Sequence, residues 1–132
     1  MDIEKLKQIA RNISGERQLN DFITIGGVGA ALETVNGNVY TGISIDTACS
    51  MGFCAEHSAI AEMLKQGEYK IKAMVAVNSN GDAVPPCGRC RELISQLSSS
   101  NLQTIIEVKN GIQVPLSELL PYDWKATTGH AW

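Results

Sequence analysis

Two short cysteine motifs constrain this chain more than any other feature of its sequence. The first is Cys54-Ala55-Glu56, and the second, further along the chain, is Cys87-Gly88-Arg89-Cys90. One close pair of cysteines and one remote cysteine have the spacing of zinc ligands, and three protein ligands leave a coordination position open for a water. The pattern therefore predicts a catalytic zinc site, with Cys54, Cys87 and Cys90 as ligands and Glu56 as the proton carrier.

The length and the N-terminal segment indicate a single-domain protein of the cytoplasm. A chain of 132 residues is long enough to bury one core, so we expect one domain over residues 1–132. Charged and apolar residues alternate over residues 1–7, which argues against a signal peptide or a membrane anchor. In the cytoplasm, four cysteines are better explained as metal ligands or reduced thiols than as disulfides.

The charge of the chain argues against a polynucleotide partner. The net charge is -3, and the 11 Lys and Arg residues are scattered along the sequence. Binding to a phosphate backbone needs clustered positive charge. We therefore expect a small-molecule substrate, and an enzyme that acts on RNA or DNA is disfavoured.

The spacing of apolar residues predicts an α/β fold. Asn36-Gly37 between two strand-like runs is a strong hairpin signal, because both central positions of such a turn favour positive φ. Helices are predicted over residues 3–14, 54–67 and 87–97, with one or two helical turns over 116–120. Strands are predicted over residues 27–32, 39–45, 71–77, 104–108 and 112–114. This order favours a mixed sheet covered by helices, while the tail over residues 122–132 has no assignable pattern.

Both cysteine motifs stand where a predicted helix begins. Pro85-Pro86 stops any helix before Cys87, and the apolar period that follows Cys54 starts at Ala55. At a helix N-terminus, the dipole and the unpaired N–H groups stabilise a thiolate, which is the form that binds zinc. We therefore expect the metal between two helix starts.

Three segments together resemble the cytidine deaminase family in its small three-cysteine class, to which blasticidin S deaminase is closely related in motif. They are Val28-Gly29-Ala30-Ala31, Cys54-Ala55-Glu56 and the stretch from Pro86 to Leu93. The resemblance implies a three-layer α-β-α sandwich with a five-stranded mixed sheet, and a homotetramer with active sites at subunit contacts. It also implies Zn²⁺ as cofactor and hydrolysis of cytidine or deoxycytidine to the uracil form with release of ammonia.

Three thiolates donate so much charge that they weaken the acidification of a zinc-bound water, so the site needs compensating donors. Arg89, Arg91 and His57 are the nearby candidates for hydrogen bonds to the ligand sulfurs, and we favour Arg89 or Arg91. The family often has an arginine directly after the catalytic glutamate, where this chain has His57. A solvent-facing side chain is the favoured interpretation for His57.

The expected substrate contacts depart from the family pattern. Cytidine deaminases usually hold the ribose hydroxyls with Asn-x-Glu at the end of the second strand, and this chain has Ser44-Ile45-Asp46 there. Ser44 and Asp46 are therefore the candidates for sugar binding. Gly26 stands where the family has an aromatic residue against the pyrimidine, which leaves room for a larger substrate. Alternative substrates are blasticidin S or another modified cytosine nucleoside, including an N4-substituted one.

A non-enzymatic alternative uses the fourth cysteine. Cys49 precedes Cys54 in a predicted loop and is able to reach the metal as a fourth ligand. Such a site with four cysteine ligands would be structural, because a closed coordination shell leaves no position for water. Glu56 would then only complement the helix dipole.

Overall fold

The computed structural model describes residues 1–129 as four α-helices, seven strands and three short 3-10 helices, and residues 130–132, the end of the tail without an assigned pattern, lie outside the described part. The α-helices are α1 (Ile3–Ile13), α2 (Ala55–Lys65), α3 (Gly88–Leu97) and α4 (Trp124–Thr127). The strands are β1 (Arg17–Gln18), β2 (Ile23–Thr34), β3 (Val39–Thr47), β4 (Ile71–Asn78), β5 (Ala83–Val84), β6 (Ile105–Lys109) and β7 (Ile112–Pro115). The 3-10 helices are Ala48–Ser50, Ser99–Gln103 and Leu116–Leu119.

The strands form one mixed sheet. Its order is β1-β2-β4-β6-β7, with β3 beside β2 and β5 beside β4. Only β4 and β6 run parallel among the described pairs, and the other pairs are antiparallel. Five strands were expected and seven are present, because the two-residue strands β1 and β5 add short ladders to β2 and β4.

The predicted hairpin at Asn36-Gly37 is confirmed, although positive φ was expected at both residues and is found at Gly37 and not at Asn36. Gly37 has φ +86, and its N–H donates to the Thr34 carbonyl over 2.9 Å, which closes the turn between β2 and β3. The two strands pair antiparallel from Glu33 opposite Val39 back to Ile23 opposite Thr47. This hairpin carries the C-terminal end of β3 towards the start of α2.

Helices cover both faces of the sheet, which confirms the predicted three-layer α-β-α sandwich. Successive side chains of a strand point to opposite faces. On one face, Leu32 and Met74 pack with residues of α2 and α3, and on the other, Ala31 and Val75 pack with α1. Within residues 1–129, no helix combines the length and the apolar character needed to cross a membrane.

Candidate metal centre and active site

Two helix starts meet at one end of the sheet and carry the cysteines. Cys54 is the N-cap of α2 and Cys87 is the N-cap of α3, both with extended backbone. Cys90 is buried in the first turn of α3, whereas Cys87 is exposed and Cys54 is half-buried. The sequence folds this way for two reasons. Proline ends the strand before Cys87, and the helical spacing of apolar residues begins directly after each of these two cysteines, so that a helix starts there.

The three sulfurs are close enough to share one metal ion. Cys87 Sγ lies 3.4 Å from both Cys54 Sγ and Cys90 Sγ. The sulfurs of Cys54 and Cys90, together with a ring nitrogen of His57, lie within 4.8 Å of one another. Tetrahedral zinc with Zn–S bonds of about 2.3 Å separates its sulfurs by roughly 3.8 Å. The cluster therefore fits Zn²⁺.

The thiols differ in acidity because their surroundings differ. Burial acts to raise the pKa of Cys87, but backbone N–H groups of Cys90 and Arg89 and the Cys54 thiol outweigh it, so this pKa is lowered. Burial, and then the Cys87 thiol, raises the pKa of Cys54; burial, and then the Glu56 carboxylate, raises that of Cys90. A cation is therefore needed to hold Cys54 and Cys90 as thiolates, which is what zinc supplies.

Glu56 is a buried carboxyl group beside this cluster. It lies in the first turn of α2 with only 4% of its surface exposed. Burial raises the pKa of Glu56 against the lowering effect of its own backbone N–H. Its charge also acts on the thiols of Cys54 and Cys90, so the carboxyl group is near both. A carboxylate whose pKa is raised is a stronger base and can still return the proton that it accepts.

His57 contacts a ligand sulfur, where a solvent-facing side chain was the favoured expectation. Its Nδ1 lies 3.3 Å from Cys90 Sγ, and the side chain is half-buried rather than solvent-facing. Burial, and then the charge of Arg89, lowers the pKa of His57, so the imidazole is neutral at neutral pH. A neutral imidazole can donate its Nδ1–H to a thiolate at Cys90. The signal was the spacing of three between Cys54 and His57, which puts both on one face of the first helical turn.

The two arginines take different positions near the cluster. Arg89 is exposed, and its backbone N–H is one of the donors to the Cys87 thiol. The Arg91 guanidinium donates to the carbonyl oxygens of Pro86 (2.8 Å) and Leu119 (3.4 Å). Arg91 therefore holds the backbone of residues 85–87, which we call the ligand loop, and donation from either arginine side chain to a sulfur stays a prediction.

A cavity of about 510 Å³ opens beside the sulfurs and contains the expected substrate contacts. Ser44 Oγ accepts a hydrogen bond from the Val28 N–H over 2.9 Å, which leaves the hydroxyl proton available to a ligand. Asp46 lines the same cavity. The other lining residues are Gly27, Val28, Gly52, Phe53, Cys54, Ala55, Glu56, Val84, Pro85, Cys87 and Arg89. A larger groove along α2 and β3, about 850 Å³, has none of the thiols in its lining.

Cys49 stands apart from the other cysteines. It is exposed in the 3-10 helix Ala48–Ser50 with φ 62. Within residues 1–129, the group of side chains able to hold a metal consists of Cys54, His57 and Cys90, and leaves out both Cys49 and Cys87; the Cys87 sulfur, however, lies 3.4 Å from those of Cys54 and Cys90. A structural zinc site with four cysteine ligands finds no support in this geometry.

The chain is similar to known deaminases over most of its length. Residues 2–106 match the family model described as cytidine and deoxycytidylate deaminase zinc-binding region. A cytidine deaminase of Sporosarcina psychrophila is 32% identical over 92% of this chain and 90% of that protein. A blasticidin-S deaminase of Bacillus cereus is 31% identical over 71% of this chain and 74% of that protein. The crystal structure of cytidine deaminase from Mycobacterium leprae superposes with a TM-score of 0.77 at 27% identity, over 92% of this chain and 98% of that one.

Proposed function

Because this chain belongs to the cytidine and deoxycytidylate deaminase zinc-binding family, we propose that it is a zinc-dependent hydrolase that converts cytidine or deoxycytidine to the uracil form and releases ammonia. One observation carries this proposal. The sulfurs of Cys54, Cys87 and Cys90 converge beside the buried Glu56, and all but Cys90 line the same cavity. Three ligands, an acid–base group and room for a substrate are what hydrolytic deamination requires.

The residues have distinct roles in this chemistry. Cys54, Cys87 and Cys90 would hold the zinc ion, which when bound would supply a water of lowered pKa at neutral pH. Glu56 takes a proton from this water, delivers it to ring nitrogen N3, and moves the next proton to the amine. Water oxygen bonds to C4 of the base, and the C4–N bond breaks as ammonia leaves. The raised pKa of Glu56 suits it to both proton transfers.

Ser44 and Asp46 are proposed to hold the sugar. The Ser44 hydroxyl already accepts from Val28 and has its own proton left to donate. The Asp46 carboxylate, exposed at the cavity wall, is an acceptor for sugar hydroxyls. We expect Asp46→Asn to raise KM for cytidine more than it lowers kcat.

The setting of the enzyme also follows as a proposal. We take residues 1–132 as one catalytic domain that works in the cytoplasm in pyrimidine salvage, where reducing conditions keep the zinc-binding thiols free. We propose a homotetramer, which would cover exposed apolar side chains such as Phe22 and Met51. The net charge of -3 supports a nucleoside rather than a polynucleotide as substrate.

An ultraviolet deamination assay on zinc-analysed protein tests the main proposal. Cytidine and deoxycytidine should be turned over, and Glu56→Gln should lose at least about a thousandfold in kcat while it binds the same zinc. Glu62→Gln, an exposed glutamate of the same helix, is the matched control and should keep full activity. Failure of the zinc-loaded wild type on both nucleosides would overturn the proposal.

A second candidate substrate class is a cytosine nucleoside with a larger group, as in blasticidin S. The cavity wall beside Ser44 is bare, because a Cβ at Gly27 would have only Ser44 Oγ within 4 Å, at 3.8 Å. At Gly26, with φ +78, a Cβ would lie 2.4 Å from the Gly15 carbonyl oxygen, so the family's aromatic residue has no place in this backbone.

Gly27→Ala and Gly27→Leu test this second class. Both substitutions should lower turnover of blasticidin S more than turnover of cytidine, because they fill the bare wall. Good wild-type activity on cytidine with none on blasticidin S would remove the second class and leave the first.

A further inference from the structure

Two consecutive residues of α3 connect the ligand loop to the C-terminal part of the chain. Arg91 directly follows Cys90, and its Nε donates to the Pro86 carbonyl next to Cys87 over 2.8 Å. The same guanidinium donates through Nη1 to the Leu119 carbonyl over 3.4 Å. One rigid planar group thus joins the loop before Cys87 to the 3-10 helix Leu116–Leu119.

The next residue, Glu92, binds the start of α4. Its two carboxylate oxygens accept from Lys125 Nζ over 3.1 and 3.0 Å, and one of them also accepts from Trp124 Nε1 over 3.2 Å. Lys125 Nζ lies 2.9 Å from Asp123 Oδ1, and Lys125 is only 5% exposed. We call Arg91, Glu92, Asp123, Trp124 and Lys125 the C-terminal clasp.

The clasp is costly to break because its ammonium group is buried between two carboxylates. Removing one partner of a buried ion pair leaves the other charges without compensation. The proposed substrate contacts and the proton carrier Glu56 are not members of the clasp. What it holds in place is α3, which begins with Cys87 and Cys90, and the loop in front of it.

We propose that the C-terminal clasp is a positioning element of the zinc site, which fixes Cys87 and Cys90 through Arg91 and Lys125. The inference rests on the proposed function only in so far as these cysteines bind zinc. Contacts that orient metal ligands typically change metal affinity by about tenfold to a hundredfold when they are removed. The clasp would therefore set how tightly zinc is held, rather than how the substrate is bound.

Lys125→Met is the main test, measured as the rate of zinc transfer to a colorimetric chelator. Lys7→Met is the matched control, because Lys7 is also buried (3% exposed) and pairs with Glu107 over 2.7 Å. Lys7 lies on α1, on the opposite face of the sheet from α3. Both variants lose a buried ammonium group, so both should unfold at a lower urea concentration.

Only the clasp variant should release zinc faster, by about tenfold or more. Lys125→Arg should restore a rate near the wild type, and Arg91→Met should release zinc as fast as Lys125→Met. Where Lys125→Met does not fold, Glu92→Gln, which keeps the shape of the side chain, gives a milder break that should still speed release.

Equal release rates in the Lys125→Met and Lys7→Met variants, after matching for stability, would overturn the inference. Unchanged release from Lys125→Met and Arg91→Met would overturn it as well. A zinc-loaded wild type without deaminase activity would contradict the proposed function alone, because zinc release is measured without a substrate.

Discussion

The two helix starts that carry the proposed zinc ligands are held in different ways. The start of α2 lies directly on the sheet, where a Cβ at Gly42 of β3 would come within 2.4 Å of the Ala59 nitrogen and 2.6 Å of the Ala55 carbonyl oxygen. The start of α3 is held by side-chain hydrogen bonds, chiefly from Arg91. Close packing fixes Cys54, Glu56 and His57 with α2. Cys90 is buried as well, whereas the exposed Cys87 and the loop before it are held by polar contacts.

This difference divides the metal site into two halves. The α2 half contains Cys54 and the proposed proton carrier Glu56, and the α3 half contains Cys87 and Cys90. Packed backbones have few alternative arrangements, since protein interiors are as dense as organic crystals. Hydrogen-bonded loops open locally at a lower free-energy cost than the core. We therefore expect the α2 half to be preformed and the α3 half to tighten when zinc binds.

The largest expected effect is on the packed half. Gly42→Ala forces a methyl group into the backbone of α2 and should destabilise the protein by about 1–3 kcal/mol. Gly27→Ala is the matched control, since its methyl group meets only Ser44 Oγ, at 3.8 Å, and should leave stability unchanged. Urea unfolding measures both. Equal stability of the two variants would show that α2 is not fixed by this contact.

Removal of zinc should affect the two halves unequally. Hydrogen exchange followed by mass spectrometry should be faster in the apoprotein over residues 85–92, with a smaller change over residues 54–60. Equal increases in exchange at both helix starts would contradict this difference between the two halves.

Zinc affinity should also fall as the pH is lowered, because the pKa values of Cys54 and Cys90 are raised and protons then compete for their sulfurs.

A smaller effect is expected at the contact that joins the two halves. His57→Phe removes the group 3.3 Å from Cys90 Sγ and should weaken zinc binding by about tenfold, while His57→Gln keeps a donor and should weaken it less. The sulfur-to-metal charge-transfer band of the cobalt-substituted protein should shift in the phenylalanine variant. An unshifted band with unchanged affinity would mean that His57 does not act on the sulfur.

The smallest effect is expected at the far end of α2. Hydrogen bonds from Thr34, Tyr40 and two asparagines lower the pKa of Glu68 to about 2 from an ordinary 4.5. A carboxylate with a lowered pKa stabilises the folded state above pH 4.5 and loses this contribution as the pH falls towards 2. Stability of Glu68→Gln should therefore depend less on pH in this range than that of the wild type.

Urea unfolding at a series of acidic pH values measures this slope. Glu118→Gln, at an exposed glutamate, serves as the control and should keep the slope of the wild type. If the Glu68→Gln variant has the same slope as the wild type, the hydrogen bonds to Glu68 do not contribute to stability at this end of α2.

Local patterns predicted much of this fold. The helical periods behind Cys54 and Cys87, the Asn36-Gly37 turn and the zinc-ligand spacing are short-range signals, and each has its counterpart in the structure. Strands β1 and β5 have two residues each, too few to show a period of two. A register shift between Ile25 and Gly29 also breaks the alternation in β2, so its first residues were not recognised as strand.

Contacts between distant segments were beyond sequence reasoning. Arg91 and Leu119 are 28 residues apart, and Lys125 and Glu92 are 33 apart, so no local spacing relates them. Arg91 was expected near the sulfurs, yet the carbonyl groups that bind its guanidinium are set by where the chain's end folds back on α3. The short helix α4 falls in the tail that had no assignable pattern, because a single turn has no period.

A zinc titration of the apoprotein, followed by cytidine deamination, is the most direct test of a zinc-dependent deaminase with Glu56 as its proton carrier. Activity should rise linearly and saturate at about one zinc ion per chain. Glu56→Gln should take up the same zinc without gaining activity. Deamination by the zinc-free protein, or full activity of Glu56→Gln, would contradict the proposed mechanism.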